Sequence, residues 1–192
     1  KAICPLVSLS VDFYVRVFVR VFDSAQESKE VFLKHGIICQ SVNVPSYSVQ
    51  PIGRSHPKKN SFLPAHCEIS PSCSQTGGRC VIGGPLWTDS LHDRAFVVQM
   101  MEELDRMQAA ATKDADDGSP SAIPLLFTSR IRGILTTVLE ELDTVLFHHL
   151  PTMAKVLHCC VPPSGSFRSS LLRLGYKVSL THCSKDGLKT DA

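Results

Sequence analysis

No apolar stretch in these 192 residues approaches the ~20 needed to cross a bilayer, so no membrane span is expected. Charge of one sign is also scarce. Twenty Lys and Arg stand against 18 Asp and Glu, a net charge of +2 that neither requires nor excludes a polyanionic partner. No charged leader, apolar segment and small-residue cleavage site opens the chain. It starts at Lys1 inside an apolar run and stops at Thr190-Asp191-Ala192, which reads as a piece of a longer protein. Catalytic signatures are missing too: there is no nucleophile elbow, P-loop, zinc-protease helix or dinucleotide fingerprint. Gly77-Gly78 and Gly83-Gly84 adjoin a loop-like stretch and do not make a phosphate cradle, and the eight histidines form no i, i+4 pair. His148-His149 falls at a helix end or turn, where positive charge is mildly favoured. Glu140 and Glu141, adjacent on a helix, diverge and read as a solvated face. No residue of this chain is expected to be catalytic.

Cysteine is not scarce, but the spacing that zinc knuckles need is. Cys4, Cys39, Cys67, Cys73, Cys80, Cys159, Cys160 and Cys183 contain no Cys-x2-Cys pair. The chain is long enough to build its own core and carries no secretory signal, so reduced thiols in a cytosolic or nuclear protein fit better than a disulfide framework. Cys67, Cys73 and Cys80, with Cys39, His56 or His66 as a fourth ligand, remain a possible but irregular metal set.

What is present begins with Val11 to Phe22, read as one long strand. Alternation puts Phe13 and five valines on one side, expected to be the core face. Asp12, Tyr14, Arg16, Phe18, Arg20 and Phe22 lie on the other, alternating rings with guanidinium groups, a chemistry suited to phosphates and stacked bases. The bland alternative is a central strand whose arginines pair with carboxylates.

Asp23 to Lys34 is helix-compatible, Gly36 to Cys39 and Tyr47 to Ile52 are short strands, and Gly53-Arg54 closes the second. Residues 55–79 read as a loop that Val81 to Trp87 ends. The pattern then changes from strands to helices, which sets a domain boundary at 87/88. From Arg94 to Met107 apolar residues recur at 96, 97, 100, 101, 104 and 107, a helical stripe that Asp89 or Ser90 could cap. Residues 109–122, including Asp114, Asp116 and Asp117, read as a mobile insertion. A second helix is expected over Ser129 to Leu142, with Ile131, Ile134, Leu135, Val138, Leu139 and Leu142 inward and Gly133 at a close contact. Arg130 and Arg132 then point away from the core. Leu150 to His158, a Pro162-Pro163 turn, a helix over Phe167 to Leu174 capped by Ser166 and ended by Gly175, and a strand over Tyr176 to His182 follow. Helix, turn, helix, strand is the order of a winged helix.

Several blocks resemble one family. Leu9 to Val21, Gln50-Pro51-Ile52-Gly53-Arg54, Ile82 to Trp87 and Leu91-His92-Asp93 are similar to the tRNA (guanine-26 N2)-dimethyltransferases. So are Thr128 to Thr136, Glu140-Glu141-Leu142, Leu157-His158-Cys159, Gly175 to His182 and Lys189 to Ala192, in order along nearly the whole chain.

The resemblance implies S-adenosylmethionine-dependent methylation of the exocyclic amine of one tRNA guanine, with tRNA as partner. It implies a fold that is α/β and α+β. Residues 1–87 would be the terminal strands of a Rossmann-like methyltransferase domain with a cysteine-bearing excursion. Residues 88–192 would be a helical, winged-helix-like, RNA-contacting C-terminal domain. The donor loop and catalytic Asp-Pro motif would lie upstream of Lys1, so S-adenosylmethionine is expected to be bound mainly there, and no catalytic or cofactor-binding residue is assigned here. The tRNA contacts expected of this chain are Arg16, Arg20, Arg54, Arg130, Arg132, Arg168, Arg173, Lys177 and Lys189. Relatives carry two Cys-x2-Cys pairs. Here Ser41 and Val44 stand at the first and Thr76 follows Cys73 in the second, so the zinc site reads as dismantled unless Cys39, Cys67 and Cys80 re-form it, and no metal ligand is assigned. The expected compartment is the nucleus or cytoplasm, with the mitochondrion open. The alternative class is a non-catalytic RNA-binding paralogue of the same fold.

Overall fold

The computed structural model describes residues 1–56, 61–66, 70, 72–73, 76–117 and 126–192, the side chains of 111–117 excepted. Cys67 lies outside the described residues. The chain opens with an antiparallel hairpin, β1 (Ala2–Val11) and β2 (Tyr14–Phe22). The single strand expected over Val11 to Phe22 is therefore broken. Asp12 turns the chain at φ 50°, a left-handed conformation that Asp tolerates better than most residues.

The hairpin also reverses the expected faces. Directly paired residues of an antiparallel ladder share a side. Val7, fully buried, pairs with Phe18, Leu9 with Arg16 and Val11 with Tyr14, so the ring-and-arginine side of β2 shares the side of the core. Phe13 sits in the turn, and Val15, Val17, Val19 and Val21 are all exposed. Helices cover β1 and leave β2 open, which alternation alone cannot foretell.

After Ser24, whose hydroxyl caps α1 (Ala25–Glu30), a 3-10 turn over Val31–Lys34 leads into β3 (His35–Ser41). β3 is the middle strand of an antiparallel sheet, between β4 (Tyr47–Pro51) and a later strand. Gly53, expected to close β4, instead opens β5 (Gly53–Ser55), which pairs with β6 (Phe62–Pro64) in the stretch read as loop. A Cβ on Gly53 would collide with the Phe32 ring. β7 (Cys80–Trp87) then completes the three-stranded sheet, with Gly84 at φ 124° inside it.

α2 (Arg94–Asp117) runs ten residues beyond the apolar stripe. Ala109 to Asp117 is helical, because an Ala-rich segment propagates a helix already nucleated. Asp93, rather than Asp89 or Ser90, caps it by accepting from the Phe96 amide at 3.1 Å. α3 (Thr128–Glu140) stops short of Leu142, and Arg94 crosses from α2 to its end, donating to the carbonyls of Leu139 (2.8 Å) and Glu141 (3.1 Å). Open space lies where a Gly133 Cβ would project, so the contact expected there does not form. The core is the meeting of β1, α2 and α3: Val7, Val97, Leu135 and Val138, with Phe96, Met100, Ile131 and Ile134 around them.

The remaining elements are β8 (His148–His149), α4 (Leu150–Val156), α5 (Ser164–Arg173), β9 (Val178–Thr181) and β10 (Ser184–Thr190). Their sheet has the order β8-β10-β9. Pro163, not Ser166, precedes α5, and Gly175 follows it at φ 92°. The strand expected over Tyr176 to His182 is shorter and belongs to a β9–β10 hairpin.

Candidate nucleic-acid interface

The expected basic residues fall into five places, on β2, β5, α3, α5 with its end, and β10. Arg16 and Arg20 are exposed on β2, with the Arg16 guanidinium 5.3 Å from the Tyr14 ring centroid. Arg54 is exposed on β5, its Nε donating to the Pro64 carbonyl. Arg130 and Arg132 lie on the first turns of α3 and point outward as expected, but carboxylates engage both. Arg130 pairs with Asp12 at 2.6 Å, tying α3 to the hairpin turn, and Arg132 pairs with Asp105 of α2. Arg173 is exposed on α5 and exposed Lys177 follows that helix, while Arg168 of the same helix is half-buried, its Nε enclosed without a hydrogen-bond partner.

Lys189 is a correction. It is 7% exposed, and its amine meets Glu141 at 3.0 Å and the Leu142 carbonyl at 3.1 Å. That amine is committed inside the protein.

Glu141 is the second correction: it is 3% exposed, not on a solvated face. The helix ends at Glu140, two residues before Leu142, and the extended backbone at Glu141 turns its carboxylate inward. There it accepts from His182 Nδ1 at 2.7 Å, Thr181 Oγ1 at 3.0 Å, the His182 amide at 3.3 Å and Lys189. Burial works against its charge, but these hydrogen bonds and the Lys189 charge win and hold it down at about 2. For His182, burial opposes the proton, while bonds with Cys183 and Glu141 carry it up to about 9.

Two histidines fasten the hairpin to this network. The Ser8 amide donates to His92 Nδ1 (3.4 Å) and the Ser10 amide to His182 Nε2 (3.2 Å), alternate groups on one edge of β1. Burial pushes His92 down, in keeping with a neutral ring that accepts. Among the described residues, His92, Glu141 and His182 are the one group of three ligand-type side chains gathered within 4.8 Å. The group does not suit a metal. In its neutral form, the one a metal would need, each ring spends its free lone pair on a β1 amide, and the cation already present is Lys189.

Cys39, Cys73 and Cys80 approach one another around a cavity of about 290 Å³ that they line with Ser41, Tyr47 and Gln50. Burial, then Cys39 and Cys73, push the Cys80 thiol up. The chain turns tightly from Cys73 to Gly78, where the Cys73 amide donates to the Gly78 carbonyl at 2.7 Å. Thr76 occupies that turn where a second thiol would complete a knuckle. Among the described residues these three sulfurs do not all lie within 4.8 Å of one another, and Cys67, the remaining expected thiol, lies outside the described residues.

Sequence reasoning also missed a stacked pair, Tyr47 and His148, with ring centroids 5.3 Å apart and planes at 24°. Burial lowers His148, so its ring favours the neutral form, against the expectation of cationic character. A hundred residues separate the two, and no local signal joins them.

The 290 Å³ cavity carries no carboxylate to take ribose hydroxyls, and the one holding Asp89 and Asp143 measures only about 100 Å³.

Fold and site together define a mixed α/β protein in which α5, carrying the exposed Arg173, lies beside a small antiparallel sheet. The family model for N2,N2-dimethylguanosine tRNA methyltransferase matches residues 1–192, and the chain belongs to that family. It is 37% identical to tRNA (guanine(26)-N(2))-dimethyltransferase 2 of Arabidopsis thaliana, over all of this chain and 31% of that protein. It is 34% identical to the Homo sapiens tRNA (guanine(26)-N(2))-dimethyltransferase, over all of this chain and 28% of that protein. The chain thus spans about a third of the length of the curated relatives it matches. Among solved structures, Trm1 from Pyrococcus horikoshii, in complex with S-adenosyl-L-methionine, superposes with a TM-score of 0.70 at 22% identity, over 99% of this chain and 41% of that one. That likeness establishes the fold. No helix among the described residues is long and apolar enough to cross a membrane.

Proposed function

We propose that this chain is the tRNA-holding and fold-completing part of an S-adenosylmethionine-dependent enzyme that forms N2-methyl- and N2,N2-dimethylguanine at position 26 of tRNA. The family match over all 192 residues carries this reading. S-adenosylmethionine supplies an electrophilic methyl group when bound. In this reading it is bound mainly outside this chain, so no step of the transfer is assigned here. Its own contribution is binding and orientation of the RNA, which can supply a large part of catalysis.

The hairpin is read as the terminal strands of a Rossmann-like methyltransferase sheet, whose remaining strands would cover the exposed valines of β2. The tail is read as winged-helix-like, supported by the element order α3, β8, α4, α5, β9, β10 and the sheet order β8-β10-β9. In that reading α5 presents Arg168 and Arg173, and Lys177 leads onto the wing. We keep the division into residues 1–87 and 88–192 as part of this proposal, with β1 docked across it onto α2 and α3. An intracellular location, nuclear, cytoplasmic or mitochondrial, goes with the substrate.

Nucleoside mass spectrometry of unmodified tRNA, incubated with the methyl donor and either the full-length protein or residues 1–192 alone, tests the proposal. The full-length protein should produce the methylated guanines and the shorter chain none. Labelling by residues 1–192 above a heat-killed control would place the active site here and overturn it.

A further inference from the structure

Outside the basic surface, one cluster of titratable side chains has a chemistry that RNA binding leaves unused. Cys183 sits exposed in the turn between β9 and β10, its sulfur 3.5 Å from His182 Nε2. The opposite ring atom, Nδ1, donates to the buried Glu141 carboxylate at 2.7 Å. Thr181 Oγ1 and Lys189 Nζ hold that carboxylate in place, each at 3.0 Å. In the neutral ring the one lone pair of Nε2 accepts from the Ser10 amide at 3.2 Å, and once the ring is protonated it is the Nε2 N–H that faces the Cys183 sulfur. Thiolate, imidazolium and orienting carboxylate then stand in line, the arrangement that activates cysteine.

We propose that Cys183 is an activated thiol and a site of covalent modification by small-molecule disulfides. In the step, the Cys183 thiolate, held beside the His182 imidazolium, attacks one sulfur of the disulfide. A new S–S bond forms as the old one breaks. The departing thiolate takes the Nε2 proton from His182, which is left neutral. Cys183 ends oxidised as a mixed disulfide, and the other half of the reagent leaves reduced, as a thiol.

The electrostatics agree with the geometry. Burial and the Glu141 charge push the Cys183 thiol up, but His182 and the Thr181 bond outweigh them and bring it below the ordinary 9.0. Burial first, then His182 and Lys189, oppose a proton on His92, the other ring packed on this network. Cys159 and Cys160 are exposed as well, and among the described residues no histidine bonds to either. They serve as comparators inside the same molecule.

The test treats the full-length protein with glutathione disulfide and follows each cysteine by peptide mass mapping. At neutral pH Cys183 should form the mixed disulfide about tenfold faster than Cys159 or Cys160. Its rate should rise with pH through an inflection below 9. His182→Gln should bring Cys183 down to the rate of the two comparators. Equal rates for all three cysteines in the unsubstituted protein would overturn the proposal. Should His182→Gln fail to fold, the pH profile of the unsubstituted protein decides, and an inflection at 9 or above rejects the activated thiol.

Discussion

His182 Nδ1 and a carboxylate oxygen of Glu141 lie 2.7 Å apart with both side chains almost wholly buried, 4% and 2% exposed. This bond joins the end of α3 to the β9–β10 turn, and through the Ser10 amide it reaches the hairpin. Buried charge of this kind is stabilising only while every partner is in place.

The pair sets a pH window for stability. His182 is raised to about 9 from 6.5, so its contribution is complete below pH 6.5 and is lost as pH climbs towards 9. Glu141 is lowered to about 2 from 4.5, so its contribution is complete above pH 4.5 and is lost as pH falls towards 2. Thermal melts should therefore show the highest Tm between pH 4.5 and 6.5, with a decline on each side. Glu141→Gln should lower the maximum and flatten both limbs. A Glu141→Gln profile parallel to the unsubstituted one would remove the pair from the account.

Elemental analysis of protein purified without chelator addresses the thiols. The resemblance sets Ser41, Val44 and Thr76 where relatives would carry paired cysteines, and the described sulfurs of Cys39, Cys73 and Cys80 do not all lie at ligand distance from one another. Zinc should be absent or well below one per chain. One tightly held zinc per chain would mean that these thiols close on a metal, and that the register placing Ser41 and Val44 at ligand positions is wrong.

Much of the helical half was legible because its signals are local. Val97 and Leu104 are buried where the stripe of α2 predicts, and Leu135 and Val138 where that of α3 does. Gly175 adopts the positive φ that its place after a helix favours. The illegible parts depend on distant partners. Nothing near Val11 announces a turn, since no Gly or Asn accompanies Asp12. Which side of β2 shares the core was decided by where α2 and α3 pack on β1. Glu141 looked like one of two solvated carboxylates because the residues that bury it, His182 and Lys189, lie more than 40 positions away. Lys189 looked like an RNA contact for the same reason.

The central claim is that this chain grips tRNA through the basic end of α5, and the salt dependence of binding tests it most directly. Affinity of the full-length protein for its tRNA should be measured across a salt series, unsubstituted and as Arg173→Ala with Lys177→Ala. Each lost phosphate contact should reduce the slope by about 0.7 to 0.9, so the double variant should bind more weakly with a slope smaller by about 1.4 to 1.8. Arg130→Ala with Arg132→Ala, run in the same series, should also weaken binding and reduce the slope. Its Tm should move little, since exposed ion pairs such as those with Asp12 and Asp105 contribute about 0.2 to 1 kcal/mol each. Affinity and slope unchanged in both variants would contradict the account and leave these side chains as ordinary surface charge.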